Sequence, residues 1–249
     1  MSDQTTDTFG DKTGLCARGV PVSPGNEIIS FVSHEFRAPL GALMGALSII
    51  ESGVLGDLPP KMRPMLEMAQ RNARRLLALS DDLIDADVIE SGCLKLHLSP
   101  VDLSDVVRDC VSANRVIADR KGVAVEVAAI DRPVKVRADR KRLEQVLTNL
   151  LTNAIKFSEE GGTVDVAVVH EGQGARITVR DRGPGIPADL QPRIFQKFAK
   201  SDDGNHAGNG LGLYISKAFV EAQDGQIEFT SQPGDTRFVI VLPLSFTDE

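Results

Sequence analysis

Apolar residues in the first third of the chain recur at steps of three and four residues, which is the spacing of one face of a helix. From Asn26 this pattern predicts a helix with one narrow apolar seam, made of Ile29, Val32, Phe36, Leu40, Leu43, Leu47 and Ile50. Glycines and prolines between Gly53 and Pro60 interrupt the pattern, and a second helical stripe runs from Met62 to about Gly92. The two stripes predict a helical hairpin over residues 26–92.

A hairpin of two helices buries little apolar surface by itself, so a seam on each helix favours pairing with a second copy of the chain. We therefore predict a homodimer in which two hairpins form a four-helix bundle. Residues 1–25 are polar, carry several glycines and prolines and show no apolar period. This composition is typical of a flexible tail, which is how we interpret that segment.

Beyond residue 92 the pattern changes to the alternation typical of strands, interrupted by helical stretches. Strands are predicted at 123–130, 134–138, 163–169, 175–180, 226–230 and 237–242, and helices at 103–118, 141–157 and 211–223. The mixture predicts an α/β sandwich over residues 101–245, joined to the hairpin by a linker at 93–100. The predicted fold class is therefore an all-α hairpin domain followed by an α/β domain.

Charge and hydropathy then exclude two classes of function. The formal net charge of −7 leaves little basic surface for a phosphate backbone, so nucleic-acid binding is not expected. The longest apolar run, Leu40 to Ile50, is too short to span a bilayer, and no secretion signal opens the chain. We therefore expect a cytoplasmic protein that is not inserted directly into a membrane.

His34 is the first residue with candidate chemistry. It lies about 160° from the apolar seam at 100° per residue, on an outward face shared with Ala38, Gly41 and Gly45. These small residues leave the imidazole unshielded. A neutral imidazole can attack a phosphoryl group, and the adjacent Glu35 can accept the ring proton or orient the ring. Taken alone, His34 is more often an ordinary solvated surface histidine than a nucleophile.

A second group of polar residues lies on the predicted helix at 141–157. Asn149, Asn153, Lys156 and Phe157 fall three or four residues apart on one helix face. An amide oxygen suits Mg²⁺ beside phosphates, and a lysine supplies positive charge for them. Either asparagine alone is compatible with a solvent-facing amide, whereas the set favours a nucleotide site.

Asp181 continues the buried face of the predicted strand, because it has the same parity as Ile177 and Val179. A buried carboxylate needs a hydrogen-bond donor, and the amino group of adenine is one candidate. Gly183 and Gly185 would let the backbone approach the base. The alternative is that Asp181 is an ordinary turn-forming residue.

Gly208, Gly210, Leu211 and Gly212 open the last predicted helix. Backbone N–H groups at a helix N-terminus can hold phosphates, although a glycine cluster alone is only weak support for such a site. The preceding polar stretch, residues 200–207, is predicted to be a mobile lid over a nucleotide.

These four motifs, in their order and spacing, resemble those of the histidine protein kinases of two-component signalling, over residues 26–245. The resemblance implies a Bergerat-type ATP-binding domain that phosphorylates His34 with the help of Glu35. It also implies transfer of the phosphoryl group to an aspartate on the receiver domain of a response regulator. It further implies ATP and Mg²⁺ as cofactors, with Mg²⁺ at Asn153. The residues then expected around the nucleotide are Asn149, Asn153, Lys156, Phe157, Asp181, Gly183, Gly185, Lys200, Gly208, Gly210, Leu211 and Gly212.

Two departures from the family pattern matter. Kinases that also dephosphorylate their partner often carry Thr or Asn four residues after the histidine, whereas this chain has Ala38. The resemblance therefore implies weak phosphatase activity. Phe195 and Phe198 resemble the family's phenylalanine box, but the glycine-threonine block is shortened, which leaves the role of Thr236 open.

Two other functions remain compatible with parts of the pattern. A phosphotransfer adaptor or scaffold without catalysis would be expected to lose the asparagines, Asp181 or the glycines, and all of these are present. An ATPase of the topoisomerase or chaperone type would lack the hairpin with the motif around His34. The sequence therefore favours an active autokinase.

Overall fold

The structure is a computed structural model that describes residues 24–128, 133–172, 174–200 and 208–244, with the side chains of the first helix described from Phe36 onward. The chain divides between Leu94 and Lys95 into two compact units. The first unit is helical and the second is α/β, which confirms the predicted fold class. Across the described residues, no helix is both long and apolar enough to cross a bilayer.

The helical unit consists of α1 (Pro24–Glu51) and α2 (Arg63–Glu90). Two polar pairs join the helices: Gln70 donates to Glu51 at 2.7 Å, and Arg37 pairs with Asp81 at 2.5 Å. Since the later residue of α1 pairs with the earlier residue of α2, the helices are antiparallel, as a hairpin requires. Pro39 lies inside α1, and the helix continues through it.

The predicted apolar seam of α1 divides into two faces. Leu40 and Leu47 are half-buried, together with Met44 outside the predicted seam, whereas Phe36, Leu43 and Ile50 are exposed by 57%, 47% and 37%. The exposed set repeats every seven residues, which is the spacing of a coiled-coil seam. On α2, Leu66, Gln70 and Ala73 are buried on the face that Gln70 turns toward α1. A single hairpin thus leaves one apolar stripe uncovered.

The α/β unit contains seven strands and three helices among its described residues. In chain order they are β1 (Ser99–Asp102), α3 (Leu103–Lys121), β2 (Ala124–Val127), β3 (Lys135–Ala138), α4 (Arg140–Phe157), β4 (Thr163–Glu171), β5 (Gly174–Asp181), α5 (Gly212–Glu221), β6 (Gln226–Gln232) and β7 (Asp235–Pro243). A single 3-10 turn lies at Gln191–Arg193.

Five strands form the main sheet in the order β2-β4-β5-β7-β6. All neighbours are antiparallel except β2 and β4, which are parallel. The remaining strands, β1 and β3, form a separate antiparallel pair. β1 begins in the segment predicted to be a linker, and its four residues, which include Pro100, are too few to show alternation. Part of the predicted strand at 123–130 lies outside the described residues.

Helices α3, α4 and α5 pack with one another and against the main sheet, so the unit is a two-layer sandwich. Inward residues of β5 alternate with outward ones, and Ala175, Ile177 and Val179 are buried. Asp102 and Asp139 begin α3 and α4 as N-caps, accepting bonds from the backbone N–H groups of Ser104 and Arg142. The sandwich therefore fixes the helix that carries most of the candidate site.

Candidate functional site

Helix α4 buries one face and leaves its polar edge half-buried. Leucines and valines on its inner face are buried, whereas Asn149, Asn153 and Lys156 are partly accessible. The Nδ2 atom of Asn153 donates to Oδ1 of Asn149 at 3.4 Å, a long hydrogen bond between residues one helical turn apart. Nδ2 of Asn149 in turn donates to the hydroxyl of Ser216 on α5 at 2.9 Å. The two predicted asparagines therefore form one hydrogen-bonded chain.

Lys156 lies one turn beyond Asn153 and is part of a cationic cluster. Its ammonium group lies 4.7 Å from the centroid of the Phe157 ring. Burial lowers the pKa of Lys156, and the charges of Lys121 and Lys200 lower it further. The charges of Lys121 and Lys200 beside Lys156 create a positive potential, which suits phosphate groups. The structure thus brings Lys200, at the edge of the described segment, near Lys156.

Lys121 was not predicted as a site residue. Its Nζ donates to the carbonyl of Ile155 at 2.8 Å and also to the carbonyl of Lys156. These carbonyls lie in the last turn of α4, where backbone acceptors lack helical partners and a cation is favourable. Lys121 lies on α3, and a single sequence holds no signal that would connect it with α4. It secures the end of the helix that carries Lys156 and Phe157.

Asp181 ends β5 with only 5% of its surface exposed. Its Oδ1 accepts a hydrogen bond from the backbone N–H of Gly183 at 3.0 Å. Burial raises the pKa of Asp181, which means that its charged form lacks full solvation. A Cβ atom at Gly183 would lie 2.5 Å from the carbonyl oxygen of Phe157, so only glycine permits this approach. The Asp181 turn and the end of α4 are therefore in contact.

The loop after Asp181 is attached to the turn between β6 and β7. The backbone N–H of Gly234 donates to the carbonyl of Gly183 at 2.8 Å, and that of Ile186 donates to the Ser231 hydroxyl at 2.8 Å. Gly185 has φ of 82°, and a Cβ there would lie 2.8 Å from the backbone carbon of Gln232. Backbone and hydroxyl groups thus join this loop to the β6–β7 turn, and Arg182 at its start pairs with Asp165 at 2.8 Å.

Thr236 has a defined place beside this loop. It is buried, is paired in register with Asp181 across β5 and β7, and its hydroxyl lies 2.8 Å from that of Ser231. The shortened glycine-threonine block therefore still brings a hydroxyl to the candidate adenine pocket. Its shared parity with Phe238 and Ile240 was the available sequence signal for an inward-facing residue.

The glycine segment lies along the polar edge of α4. A Cβ at Gly212 would come within 2.4 Å of Oδ1 of Asn149, and one at Gly208 would lie 3.9 Å from Nζ of Lys156. Gly210 has φ of 72°, and its carbonyl accepts a bond from the N–H of Phe198 at 2.9 Å. Leu211 is buried between them. Residues 201–207, where the lid is predicted, lie outside the described residues.

The two phenylalanines of the predicted box differ in environment. Phe195 packs edge-on against Phe229 and Phe238, at centroid distances of 5.8 and 6.5 Å. Phe198 is exposed by 63% and has φ of 60°, which is unusual for a residue other than glycine. The first ring therefore anchors this segment to the sheet, while the second leaves an aromatic surface beside the glycine segment.

The hairpin motif can be described only in part. His34 and Glu35 lie within α1, and their side chains are outside the described part of the chain. Ala38, Gly41 and Gly45 are exposed, and a Cβ at either glycine would meet no atom within 4 Å. The face predicted to be open around His34 is therefore open at these three positions.

Both units match families of known proteins. Residues 26–92 match the His Kinase A phospho-acceptor domain, and residues 138–245 match the histidine kinase-, DNA gyrase B- and HSP90-like ATPases. The circadian input-output histidine kinase CikA of Synechococcus elongatus is 34% identical over 224 residues, which are 87% of this chain and 30% of that protein. The chain thus spans less than a third of this relative.

Solved structures share the architecture. The structure of full-length ShkA in complex with AMPPNP matches 90% of this chain and 47% of its own, with a TM-score of 0.74 and 28% identity. The histidine kinase AdeS of Acinetobacter baumannii matches 85% of this chain and 98% of its own, with a TM-score of 0.61 and 28% identity. A phospho-acceptor hairpin followed by this ATPase fold defines a class of signalling kinases. The chain belongs to the histidine protein kinases.

The contact between Gly212 and Asn149 leads to a first prediction. Gly212→Ala should weaken ATP binding roughly tenfold, because the added Cβ must displace the amide of Asn149. Gly208→Ala is the matched control, since among the described residues its Cβ meets only Nζ of Lys156, at the ordinary van der Waals distance of 3.9 Å. Calorimetric titration of both variants with ATP measures the difference. Equal affinities for the two variants would contradict this account of the glycine segment.

The raised pKa of Asp181 leads to a second prediction. A carboxylate accepts a charge-assisted hydrogen bond from an adenine amino group, and protonation leaves a neutral carboxyl group that accepts more weakly. Because burial raises this pKa, the loss on acidification begins at a higher pH than for an ordinary aspartate. The affinity advantage of the wild type over Asp181→Asn should therefore shrink as the pH is lowered from neutrality. Titration of the ATP phosphates changes the affinity of both proteins equally. An affinity advantage that stays constant with pH would therefore contradict the assignment of Asp181 to adenine binding.

Proposed function

We propose that this chain is an ATP-dependent protein-histidine autokinase that phosphorylates His34 and passes the phosphoryl group to an aspartate of a response-regulator receiver domain. The observation that carries the proposal is the meeting of three motifs in the α/β unit. Asn149 contacts Gly212, and Phe157 contacts Gly183, so residues distant in sequence surround one site. The order of transfer, from ATP to His34 and then to a receiver aspartate, is proposed from the family to which the chain belongs. We place this activity in the cytoplasm, where ATP and receiver proteins are available.

The nucleotide would be held by groups of different chemistry. Asp181 and the Gly183 turn would bind the adenine, whereas Lys156, Lys200 and the first N–H groups of α5 would bind the phosphates. Both groups lie near the last turn of α4, where the Asp181 turn contacts the carbonyl of Phe157 and Lys156 is the preceding residue.

The residues also fit a magnesium ion. Mg²⁺ in phosphate sites keeps several waters and uses few protein ligands. Among the described residues no group of three acidic, histidine or cysteine side chains could hold a metal, so a protein cage is not expected there. The Oδ1 atom of Asn153 is the suitable ligand, because its Nδ2 is already engaged by Asn149. When bound, the ion would offset the negative charge of the phosphates.

In the transfer step, a ring nitrogen of neutral His34 would form a bond to the γ-phosphorus of ATP. The bond from that phosphorus to the bridging oxygen breaks, and ADP leaves with the electron pair. Glu35 would accept the proton from the other ring nitrogen. A receiver aspartate carboxylate then attacks the phosphorus, the P–N bond breaks, and the imidazole takes up a proton again.

The uncovered stripe of the hairpin supports a homodimer. Phe36, Leu43 and Ile50 on α1 are exposed, as are Met65 and Leu76 on α2. Such a row of large apolar side chains in water is unfavourable, and a second hairpin would bury it in a four-helix bundle. The dimer would also make the transfer possible either within one subunit or between the two.

The autokinase proposal predicts an acid-labile, base-stable label after incubation with γ-labelled ATP and Mg²⁺, which is the behaviour of phosphohistidine. His34→Gln should remove the label, and Asn153→Ala should remove it while the protein stays folded and dimeric. Lys141→Ala, an exposed change on the same helix, should keep the label. A label that survives acid, or that persists in His34→Gln, would falsify the proposal.

The dimer proposal predicts a separate result. Leu43→Glu should raise the dimer dissociation constant by roughly a hundredfold or more, because two buried leucines are lost per dimer. Ser48→Glu adds the same charge on the other side of α1 and should leave association unchanged. Sedimentation equilibrium measures both constants. Dissociation by both variants, or by neither, would argue against this stripe as the interface.

Ala38, four residues after His34, predicts a kinase with weak phosphatase activity toward its phosphorylated partner. Ala38 is exposed and has no polar side-chain atom to position a water molecule. A phosphorylated receiver should therefore lose its phosphate no faster with the chain than without it. Ala38→Thr should introduce measurable loss. Rapid dephosphorylation by the unaltered chain would contradict the assignment.

A further inference from the structure

Ser216 is a buried hydroxyl at the boundary between α4 and α5. Only 2% of its surface is exposed, and it lies one helical turn after Gly212. Its Oγ accepts the hydrogen bond from Nδ2 of Asn149 at 2.9 Å. A buried polar group of this kind is destabilising unless it is hydrogen-bonded, and here its partner is Asn149 of the candidate nucleotide site.

The hydrogen bond to Ser216 also sets the orientation of the Asn149 amide toward its neighbour on α4. An amide has one oxygen and one NH₂ group, so engaging the NH₂ group at Ser216 turns the oxygen toward the other side. That oxygen accepts from Nδ2 of Asn153 at 3.4 Å. Both amide NH₂ groups therefore donate in the direction of α5, from Asn153 to Asn149 and from Asn149 to Ser216.

The direction of these hydrogen bonds determines which atom Asn153 leaves available. With its NH₂ group directed to Asn149, Asn153 presents Oδ1 as its remaining polar atom. A divalent cation binds an amide oxygen and is repelled by an amide NH₂ group. If the direction of these hydrogen bonds were reversed, Asn153 would expose Nδ2 instead of Oδ1. The α4 edge would then lose its only suitable metal ligand.

Gly212 makes the contact possible. The Asn149 amide lies so near that a Cβ at position 212 would meet its oxygen at 2.4 Å and its nitrogen at 3.1 Å. The absence of a side chain there lets Asn149 lie flat against the start of α5 and reach the hydroxyl one turn further along. Gly212 and Ser216, which both lie on α5, thus contact the same amide, that of Asn149.

We propose that Ser216 is a positioning residue that orients the amides of Asn149 and Asn153, so that Oδ1 of Asn153 is available to the Mg²⁺ that accompanies ATP. This inference rests on the proposed function, because it assumes that the site binds a magnesium nucleotide. Ser216 acts through Asn149 and does not itself bind the metal. Its effect should therefore depend on magnesium.

The test compares ATP affinities with Mg²⁺ and with EDTA, measured by calorimetry on the full chain. Ser216→Ala should weaken binding about three- to tenfold with Mg²⁺, the effect of one lost hydrogen bond. In EDTA its affinity should equal that of the wild type. Ser216→Thr restores the hydroxyl and should recover the magnesium-dependent affinity. A general packing defect would weaken binding under both conditions.

Ser104→Ala is the matched control. Ser104 is buried on α3, and its hydroxyl has no hydrogen-bond partner among the described residues, so its removal should change neither affinity. Equal losses with Mg²⁺ and EDTA, or no loss in Ser216→Ala, would overturn the role of Ser216 while leaving ATP binding intact. A wild-type chain that binds no ATP would overturn the proposed function together with this inference.

Discussion

Helix α4 can hold a nucleotide site because its two faces meet different surroundings. Its leucines and valines are buried in the sandwich, which fixes the helix in position and rotation. The opposite edge then presents Asn149, Asn153 and Lys156 at helical spacing, half in contact with solvent. Neither the amides nor the ammonium group could be held in register if this apolar face did not pack. The site therefore depends on a hydrophobic contact that takes no part in the chemistry.

Close approaches of the backbone bring the remaining motifs to that helix. Gly183 contacts the carbonyl of Phe157 at one end of α4, and Gly212 contacts the amide of Asn149 nearer the middle. In both places a side chain would collide with atoms of the helix. The glycines thus determine how near to α4 the Asp181 turn and the start of α5 can lie. Hydroxyls of Ser216, Ser231 and Thr236 then satisfy the polar groups that these approaches bury.

Local pattern was sufficient to predict the fold class, because the helices and strands are long enough to show their periods of 3.6 and 2 residues. It was insufficient for β1, whose four residues are stabilised by pairing with β3. The local pattern also could not show which residues of the α1 seam are covered by α2, because Leu40 and Leu43 are identical in type and differ only in their tertiary contacts. The four motifs marked the candidate site, but Ser216 and Lys121 became visible only through contacts between helices. Such contacts depend on tertiary packing, which a single sequence does not reveal.

The proposed kinase uses a pocket in the α/β unit to phosphorylate a histidine in the helical unit, and the destination of the phosphoryl group tests that proposal most directly. After incubation with ATP and Mg²⁺, the intact chain can be digested at neutral or alkaline pH and its peptides fragmented by mass spectrometry. The account predicts a single added phosphoryl group on the peptide containing His34, located on the histidine itself. A phosphoryl group on a serine, threonine or another histidine, or none despite bound ATP, would contradict it.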